Sequence, residues 1–383
     1  MDAKLFVGFL VTLPLATADQ CDPGPPDDEG TPPVCGPEQV LVDGACAADI
    51  PQGWTRIEPG GDTICARGTP YAFYVRRGRV NKLVVGFDGG GACWDTISCS
   101  EQSPIFSDAV TASDDPATMS DGILDFTNRE NPFRDWYGVF VPYCTGDIHW
   151  GDAVVTYPAT GDYPEVTIQH KGFVNASTVM EWIYDHFDAP EVIFVTGVSA
   201  GSYGSLMFAP YLMDHYPDAR AVQVGDSGAG VITQEFLELG LTNWNAVDNI
   251  PEFFTELHEA PLESLTLSDV YIAAANYFPD QVYAQYNTAY DENQEFYYVA
   301  MGGNEEDWHD LMLENIAAIE AGAPTFRYFI NWGELHGVLP YPEFYTYQTN
   351  GVRVRDWIAD LAVGRDVPSV MCTDCTTPEY YEP

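Results

Sequence analysis

The sequence predicts an α/β protein in which a mostly parallel central sheet is flanked by helices. From about residue 54 onward, short continuous apolar runs alternate with longer segments of helical periodicity. Strands that are apolar along their whole length are typical of a parallel sheet covered on both faces. Neither an internal repeat nor a Ser/Gly-rich linker divides residues 54–383, so we expect one large domain there.

The two patterns assign individual elements along this domain. The apolar runs predict strands at residues 82–87, 138–143, 191–196, 219–224, 281–285 and 325–330. The periodic segments predict helices at residues 174–187, 202–215, 305–321 and 352–363. Residues 251–279 follow neither pattern clearly, and we interpret them as a helical insertion that shapes a pocket.

The composition is strongly acidic. The chain has 58 Asp and Glu residues against 15 Lys and Arg residues, which gives a formal net charge of -43. Such a charge repels nucleic acid and anionic membrane surfaces, so we expect neither as a partner. The acidic residues are spread through the whole chain, which favours general solubility and fits a marine or halophilic source.

The N-terminus predicts export from the cell. An apolar stretch over residues 5–15 is followed by Ala16, Thr17 and Ala18, which form a small-x-small cleavage signal. We therefore expect a signal peptide over residues 1–18 and a secreted protein, extracellular or periplasmic; a buried N-terminal segment is the alternative. No other run is long and apolar enough to span a bilayer.

Nine cysteines in an exported chain indicate disulfides. Three lie in a Pro-, Gly- and Asp-rich leader over residues 19–53, which we expect to be a stapled or flexible appendage: Cys21, Cys35 and Cys46. Because the number is odd, one cysteine must stay unpaired or pair between chains. Cys372 and Cys375 have no matching Cys or His pair nearby, so a metal site there is disfavoured.

The stretch FVTGVSAGSYG places a Gly-x-Ser-x-Gly pentapeptide between a predicted strand and a predicted helix. A serine on so sharp a turn has a strained backbone, and its neighbours must be small for strand and helix to approach. The neighbours here are Gly197, Ala200 and Gly201. This context predicts that Ser199 is a nucleophile; a glycine-rich bend with an idle serine is the alternative.

A serine nucleophile needs a general base and an orienting acid, which this topology places later in the chain. His336, in the loop after the last long predicted strand, stands where the base is expected; a hydrogen-bonded loop histidine is the alternative. Asp291, just past another strand, is the predicted acid. Asp226, which follows the strand after the nucleophile helix, is its rival, whereas Asp307 and Asp310 fit a solvated helix.

The run KLVVGFDGGGACW supplies a strand followed by three glycines. Backbone N–H groups in such a loop can approach a carbonyl oxygen as it gains negative charge. Gly90 and Gly91 are the predicted donors of this oxyanion hole, together with Ala200. A glycine-rich loop can also cradle phosphate, but no Lys follows the glycines and the surroundings are acidic, so phosphate is less favoured.

In these motifs the chain resembles the pectin acetylesterases, a family that includes plant enzymes and the animal carboxylesterase Notum. The matching stretches are FDGGGACWDTISC, PYCTGDIHWGD, TGVSAGSYG, NTAYDENQ and GELHG, in the order of the family. The resemblance runs from about Gly53 to the loop at His336. It implies an α/β-hydrolase fold and serine esterase activity on an acylated carbohydrate or another ester, with no metal or organic cofactor required.

Residue by residue, the resemblance assigns a nucleophile, acid and base, three oxyanion donors and a short-loop disulfide: Ser199, Asp291 and His336; Gly90, Gly91 and Ala200; Cys93 and Cys99. It also suggests that His149 and Trp150 line an acyl or sugar pocket. A structural loop held by Asp147 and Asp152 is the alternative for that segment. Trp94 could stack on a sugar ring or fill the core.

The chain departs from the family pattern at two places. Ser202 and Tyr203 stand where the family usually has another glycine, and the segment before His336 lacks the usual cysteine. The sequence thus predicts a secreted serine carboxylesterase that deacetylates a polysaccharide through an acyl-enzyme on Ser199. The alternatives are a lipase, polyester- or lipid-deacylating hydrolase with the same triad, and an inactive glycan-binding protein with a hydrolase fold.

Overall fold

The computed structural model describes residues 32–102, 105–119 and 121–381. The predicted signal peptide and Cys21 lie outside these ranges. Within them, nine strands form one mixed sheet and three further pairs of strands lie apart from it. None of the described helices combines the length and apolar character that crossing a bilayer requires.

The elements are numbered in chain order. Strands β1 to β15 are Gln39–Val42, Ala45–Ala48, Trp54–Ile57, Phe73–Arg76, Lys82–Phe87, Tyr137–Val141, Ala153–Tyr157, Val166–His170, Val192–Val198, Arg220–Asp226, Val282–Thr288, Arg327–Asn331, Gln348–Thr349, Val352–Arg353 and Val370–Met371. Helices α1 to α10 are Pro116–Met119, Gly172–His186, Ala200–His215, Gln234–Phe236, Thr255–Glu259, Leu267–Tyr277, Glu292–Ala300, Trp308–Gly322, Glu343–Thr346 and Val354–Ala362. A π-helical turn over Leu237–Leu241 continues α4.

The large sheet has the strand order β15-β12-β11-β10-β9-β5-β6-β4-β3. The seven strands from β15 to β6 run parallel, and β4 and β3 add an antiparallel edge. The chain proceeds from β5 to β6 on one side and returns to β9 on the other, which makes the β5/β9 border a topological switch point. Ligands of open α/β sheets bind at the carboxyl ends of the strands at such a point.

The fold class predicted from the sequence is confirmed, and each of the ten predicted elements has a counterpart. Strand β5 has the predicted bounds, whereas β9 and β10 each continue two residues further toward the site. The antiparallel strands β3 and β4 and the helix α7 were not predicted. α7 contains no buried residue, so it has no apolar stripe that could reveal it.

Two segments whose secondary structure the sequence left uncertain are ordered into helices and a hairpin. Residues 251–279 contain α5 and α6 with a short 3-10 turn at Leu262–Ser264 between them, as the helical-insertion interpretation predicts. In the leader, β1 and β2 form a hairpin closed by a Cys35–Cys46 disulfide. The hairpin packs against the end of α2, where Asp188 N–H donates to the Cys46 carbonyl oxygen at 3.0 Å.

Eight cysteines lie in the described ranges, and all are paired: Cys35–Cys46, Cys65–Cys144, Cys93–Cys99 and Cys372–Cys375. The pairing of Cys93 with Cys99 is the one that the family resemblance implies. Cys65–Cys144 joins segments 79 residues apart and ties the region before β4 to the loop after β6. The ninth cysteine, Cys21, is outside the described residues.

Candidate active site

Ser199 occupies a sharp turn between β9 and α3. Its φ of 58° and ψ of -125° fall in a region that side-chain-bearing residues rarely adopt. A Cβ on Gly197 would overlap the Gly201 carbonyl oxygen, and a Cβ on Gly201 would overlap the Phe87 carbonyl oxygen. Both glycines of the pentapeptide are therefore required by close backbone packing, and the strand–turn–helix context predicted for Ser199 is present.

The turn is fixed by its neighbours. Ser199 N–H donates to the Asp226 carbonyl oxygen at 2.8 Å, and Ser202 N–H donates to the Ser199 carbonyl oxygen at 2.9 Å. A Cβ on Gly89 would lie 2.9 Å from the Ser199 Cβ. The glycine loop after β5 therefore packs directly against the serine, at the carboxyl ends of β5 and β9.

Asp291 and His336 form a close pair beside this turn. The imidazole Nδ1 lies 2.9 Å from Oδ1 and 3.0 Å from Oδ2 of the fully buried Asp291. The carboxylate also caps α7, because it accepts the backbone N–H groups of Asn293 and Gln294 and the Gln294 side-chain amide. With the Nδ1 proton directed at the carboxylate, Nε2 is left to accept a proton.

Asp226, the rival acid, holds the backbone that follows the histidine. Its Oδ2 accepts the N–H groups of Val338 at 2.7 Å and Leu339 at 2.8 Å, while Ser227 Oγ accepts that of Gly337 at 2.8 Å. Burial raises the pKa of the Asp226 carboxyl to about 6, although the two backbone donors favour its charged form. The geometry therefore brings Asp291, and not Asp226, to His336.

Ser199 and His336 line one cavity of about 640 Å³, a volume that includes space open to solvent. Among the described residues no hydrogen bond joins their side chains; such contacts commonly tighten only when substrate is bound. The wall is mainly apolar and includes Ile148, Val231, Phe236, Leu267, Met301 and Trp308. The cavity is thus a site where an ester carbonyl could meet the serine with its acyl part among apolar side chains.

The glycine loop reaches this cavity at Gly91 and Ala92. Gly90 and Gly91 have φ values of 143° and 73°, and the Gly90 carbonyl oxygen accepts Ser107 N–H at 2.8 Å. In the described part of the chain, the N–H groups of Gly90 and Gly91 have no backbone acceptor. Ala200 N–H belongs to the first turn of α3, where helical N–H groups have no acceptor within the helix.

Tyr297 on α7 also belongs to the site, although the sequence did not indicate it. Its hydroxyl donates to the Ile105 carbonyl oxygen and packs so closely on Gly91 that a Cβ there would overlap it. Burial raises the pKa of the phenol to about 12, so it stays protonated. Tyr297 therefore joins the helix that begins at Asp291 to the loop that carries the predicted oxyanion donors.

Three residues predicted to contact substrate lie behind the cavity wall instead. Trp94 is buried, with its ring 5.0 Å from that of Phe236, a wall residue. Trp150 is buried and donates through Nε1 to the Tyr203 carbonyl oxygen at 2.7 Å. These tryptophans support the wall, and Ile148, from the same loop as Trp150, lines the cavity.

His149, the third of these residues, is buried between the rings of Phe87 and Tyr143. Its Nε2 donates to the Asp88 carbonyl oxygen at 2.9 Å, and burial lowers the pKa of the imidazole to about 4. Asp147 accepts the His149 N–H at 3.2 Å. The geometry favours the structural-loop interpretation of this segment over direct substrate contact.

A metal ion would have few ligands among the described residues. The one group of His, Cys, Asp or Glu side chains close enough together is Cys93, Cys99 and His170. Both sulfurs are bonded to each other in a disulfide, so neither offers the thiolate that binds zinc. The His170 Nδ1 and Nε2 already contact the Thr145 carbonyl oxygen and the Tyr157 hydroxyl.

The sheet order and the strand–turn–helix serine define an α/β-hydrolase fold. The solved structure of the Wnt deacylase Notum from Drosophila has the same fold, with a TM-score of 0.57 and 18% identity over 82% of this chain and 94% of that one. A family model described as Pectinacetylesterase matches residues 55–295, well over half of the chain. The protein therefore belongs to the pectinacetylesterase family.

Curated relatives share about a quarter of the aligned residues. Pectin acetylesterase 11 of Arabidopsis thaliana is 26% identical over 199 residues, which cover 49% of this chain and 48% of the relative. Palmitoleoyl-protein carboxylesterase notum1a of Danio rerio is 25% identical over 152 residues, covering 37% and 28%. The chain thus spans half or less of these relatives. The family match includes Ser199 and Asp291 and ends before His336.

Proposed function

We propose that this protein is a serine carboxylesterase that removes acetyl groups from a polysaccharide. The observation that carries the proposal is that His336, held by Asp291 at 2.9 Å, lines the same cavity as the strained Ser199. A buried carboxylate that fixes an imidazole beside a serine is the arrangement that activates a hydroxyl for acyl transfer. Membership in the pectinacetylesterase family supports the same reaction class.

In the proposed first step, Ser199 Oγ attacks the carbonyl carbon of the ester while its proton passes to His336 Nε2. The carbonyl oxygen becomes negatively charged and accepts N–H groups from Gly90, Gly91 and Ala200. Asp291 stabilises the imidazolium that forms. The intermediate then collapses: the carbon–oxygen bond to the alcohol breaks, and His336 gives its proton to that oxygen.

The second step regenerates the enzyme. Water attacks the acyl-enzyme carbonyl carbon as His336 takes one of its protons, and the same donors hold the oxyanion. The bond between the acyl carbon and Ser199 Oγ breaks, the proton returns to the serine, and the carboxylic acid leaves. These steps require no cofactor.

Extracellular action is part of the proposal. We infer that residues 1–18 form a signal peptide, residues 19–53 a leader and residues 54–383 one catalytic domain. Four disulfides in the described ranges support an oxidising compartment. N-terminal sequencing of the exported protein tests the first boundary: a mature chain that starts at residue 19 supports it, and an intact Met1 contradicts it.

The apolar cavity wall supports a second candidate substrate, an ester with a longer acyl chain. Acetyl has a single methyl group, whereas several apolar side chains line the cavity, among them Phe236, Leu267 and Met301. Each buried methylene contributes about 0.8 kcal/mol when it leaves water. The names of the relatives include both pectin acetylesterases and palmitoleoyl-protein carboxylesterases, so both lengths occur among them.

The serine mechanism can be tested with a fluorophosphonate probe and intact mass spectrometry. We expect one adduct on the folded wild-type protein, mapped to Ser199, and none on Ser199→Ala. An adduct that persists in Ser199→Ala, or a folded wild-type protein that never reacts, contradicts the proposal. Non-reaction combined with retained binding to acetylated glycans would favour a binding protein with a hydrolase fold.

The acyl group can be identified by comparing 4-nitrophenyl acetate, butyrate and octanoate at equal concentration. A deacetylase should have its highest kcat/KM on acetate. If kcat/KM rises steadily to octanoate, the longer-acyl candidate replaces the deacetylase. Release of acetate from acetylated pectin by wild type, with Ser199→Ala as control, then tests the polymer directly.

A further inference from the structure

Four arginines line one groove at an edge of the protein remote from the cavity. Arg76, Arg77 and Arg79 lie at and just after the end of β4, and Arg134 lies shortly before β6. The groove encloses about 630 Å³, including space open to solvent. These four residues stand out because the whole chain has only 15 Lys and Arg residues and a net charge of -43.

The register of the sheet fixes where this groove lies. Arg76 pairs with Gly138 at the beginning of β6, which runs parallel to β5 and β9. The cavity lies beyond the opposite, carboxyl ends of β5 and β9, where Ser199 is found. A ligand in the groove would therefore leave the cavity free.

The positive charge in the groove is only partly neutralised. Arg79 and Arg134 share one carboxylate, that of Asp135, at 3.6 Å and 3.4 Å. Arg77 pairs with Asp49 at 2.5 Å. In the described part of the chain, Arg76 has no carboxylate within salt-bridge distance, so four guanidinium groups face two carboxylates.

Arg76 is held in place by backbone oxygens and an aromatic ring. Its guanidinium donates to the carbonyl oxygens of Trp136 at 3.2 Å and Arg134 at 3.3 Å, and its Cζ lies 4.2 Å from the centre of the Phe126 ring. Burial and then the charge of Arg79 lower the pKa of Arg76. Repulsion between like charges in the groove is the kind of energy that a bound anion relieves.

Among the described residues, the two most accessible of these arginines each contact one carboxylate and have donors left over. The Arg79 and Arg134 side chains are 80% and 50% exposed, and each makes one long ion pair with Asp135. A guanidinium presents five N–H donors in a planar fork that fits a carboxylate through two parallel hydrogen bonds. Repeated carboxylates along a polymer would meet several such forks in one groove.

We propose that this arginine groove binds the carboxylates of an acidic polysaccharide. The polysaccharide class rests on the proposed function, whereas the anion preference rests on the four arginines. Elsewhere the acidic surface repels such a polymer, so the groove supplies a local point of attachment. A chain held there stays near the enzyme while its ester groups are free to enter the cavity.

Isothermal titration calorimetry with hexagalacturonate tests the site. We compare wild type, the double variant Arg79→Gln/Arg134→Gln, and a control that removes an exposed arginine from another surface, Arg365→Gln, whose side chain is 71% exposed. We expect the double variant to lose about tenfold or more in affinity and the control to bind within about twofold of wild type. Binding should weaken as salt is raised, because the charges are exposed.

Two further ligands define what the groove recognises. Fully methyl-esterified hexagalacturonate has the same sugars without charge and should bind at least about tenfold more weakly. Dextran sulfate presents sulfate in place of carboxylate. Equal affinity for the neutral oligomer, equal losses in control and double variant, or binding of dextran sulfate but not hexagalacturonate would each overturn the proposal.

The outcome is separable from that of the proposed function. Hydrolysis of 4-nitrophenyl acetate should be unchanged in the groove variant, since the cavity is remote, and the melting temperature checks its fold. Titrations repeated in Ser199→Ala measure binding without turnover. Esterase activity without hexagalacturonate binding would reject the groove alone, and binding without fluorophosphonate labelling would reject the serine mechanism alone.

Discussion

Both carboxylate oxygens of Asp291 lie within hydrogen-bond distance of His336 Nδ1, at 2.9 and 3.0 Å. The same carboxylate begins α7 by accepting the N–H groups of Asn293 and Gln294. Asp291 therefore combines two roles, a helix cap and the fixation of an imidazole. Asparagine can perform the first role nearly as well as aspartate, but its amide cannot stabilise an imidazolium in the same way.

Asp291→Asn should separate these two roles. We expect kcat for 4-nitrophenyl acetate to fall by about 10³- to 10⁴-fold, because the amide favours the wrong imidazole tautomer. The melting temperature should remain close to that of wild type, since the helix cap is kept. Steady-state kinetics and thermal unfolding measure both quantities. A variant that retains more than about a tenth of the activity would remove Asp291 from the mechanism.

Asp226 offers a test through pH. Its carboxyl has an ordinary value of 3.8, and burial raises the pKa to about 6 in the folded protein, where His336, Asp291 and Tyr286 are the neighbouring titratable groups. A raised pKa means that the folded state binds the proton more tightly than the unfolded state. The resulting stabilisation is full below about pH 4 and is lost as pH rises through about 6.

Asp226→Asn removes this dependence while keeping an oxygen for the backbone donors. Relative to wild type, the variant should gain about 2 kcal/mol in free energy of unfolding between pH 4 and pH 7, with most of the gain below about pH 6. Urea unfolding of both proteins at several pH values measures the difference, in which the other titrating groups largely cancel. Parallel stability curves would show that Asp226 does not titrate in this range.

Tyr297 lies on α7, the helix capped by Asp291, and connects that helix to the glycine loop through a hydrogen bond to the Ile105 carbonyl oxygen. Tyr297→Phe keeps the ring over Gly91 and removes only the hydroxyl. We expect about 1 kcal/mol less stability and a roughly tenfold lower kcat, with KM less affected, because the proposed oxyanion donors lose an anchor. Kinetics on 4-nitrophenyl acetate check this. A fall in stability with kcat unchanged would limit the hydroxyl to a structural role.

The central strands, the serine turn and the Asp291–His336 pair could be predicted because each leaves a local signal. Continuous apolar runs mark β5 and β9, and the close contacts of Gly197 and Gly201 demand glycine at fixed spacing from Ser199. Chain order then limits the acid and base to a few loop residues after the serine.

The remaining features depend on contacts that sequence patterns do not encode. Tyr297 and Ile105 are 192 residues apart in the sequence, so no local sequence pattern near either residue predicts their hydrogen bond. The aromatic residues at positions 94 and 150 could be recognised as large side chains, but not assigned to one side of the cavity wall. Helix α7 was not predicted because none of its residues is buried, so its sequence lacks the apolar stripe that indicates a helix.

The backbone of Ser199 provides a last prediction, which concerns stability. At φ 58° and ψ -125° the backbone of this residue is strained because of its Cβ, an atom that glycine lacks. Ser199→Ala keeps the Cβ and the strain, whereas Ser199→Gly relieves the strain. Both variants lose the hydroxyl.

We therefore expect Ser199→Gly to exceed Ser199→Ala by about 1 kcal/mol in free energy of unfolding, despite the greater freedom of glycine in the unfolded chain. Urea unfolding of the two variants measures this difference. Gly161→Ala, at a glycine with a φ of 58° and open space around its Cβ position, serves as a matched control and should lower stability for the same reason. A Ser199→Gly protein less stable than Ser199→Ala would mean that the turn at the end of β9 is not strained.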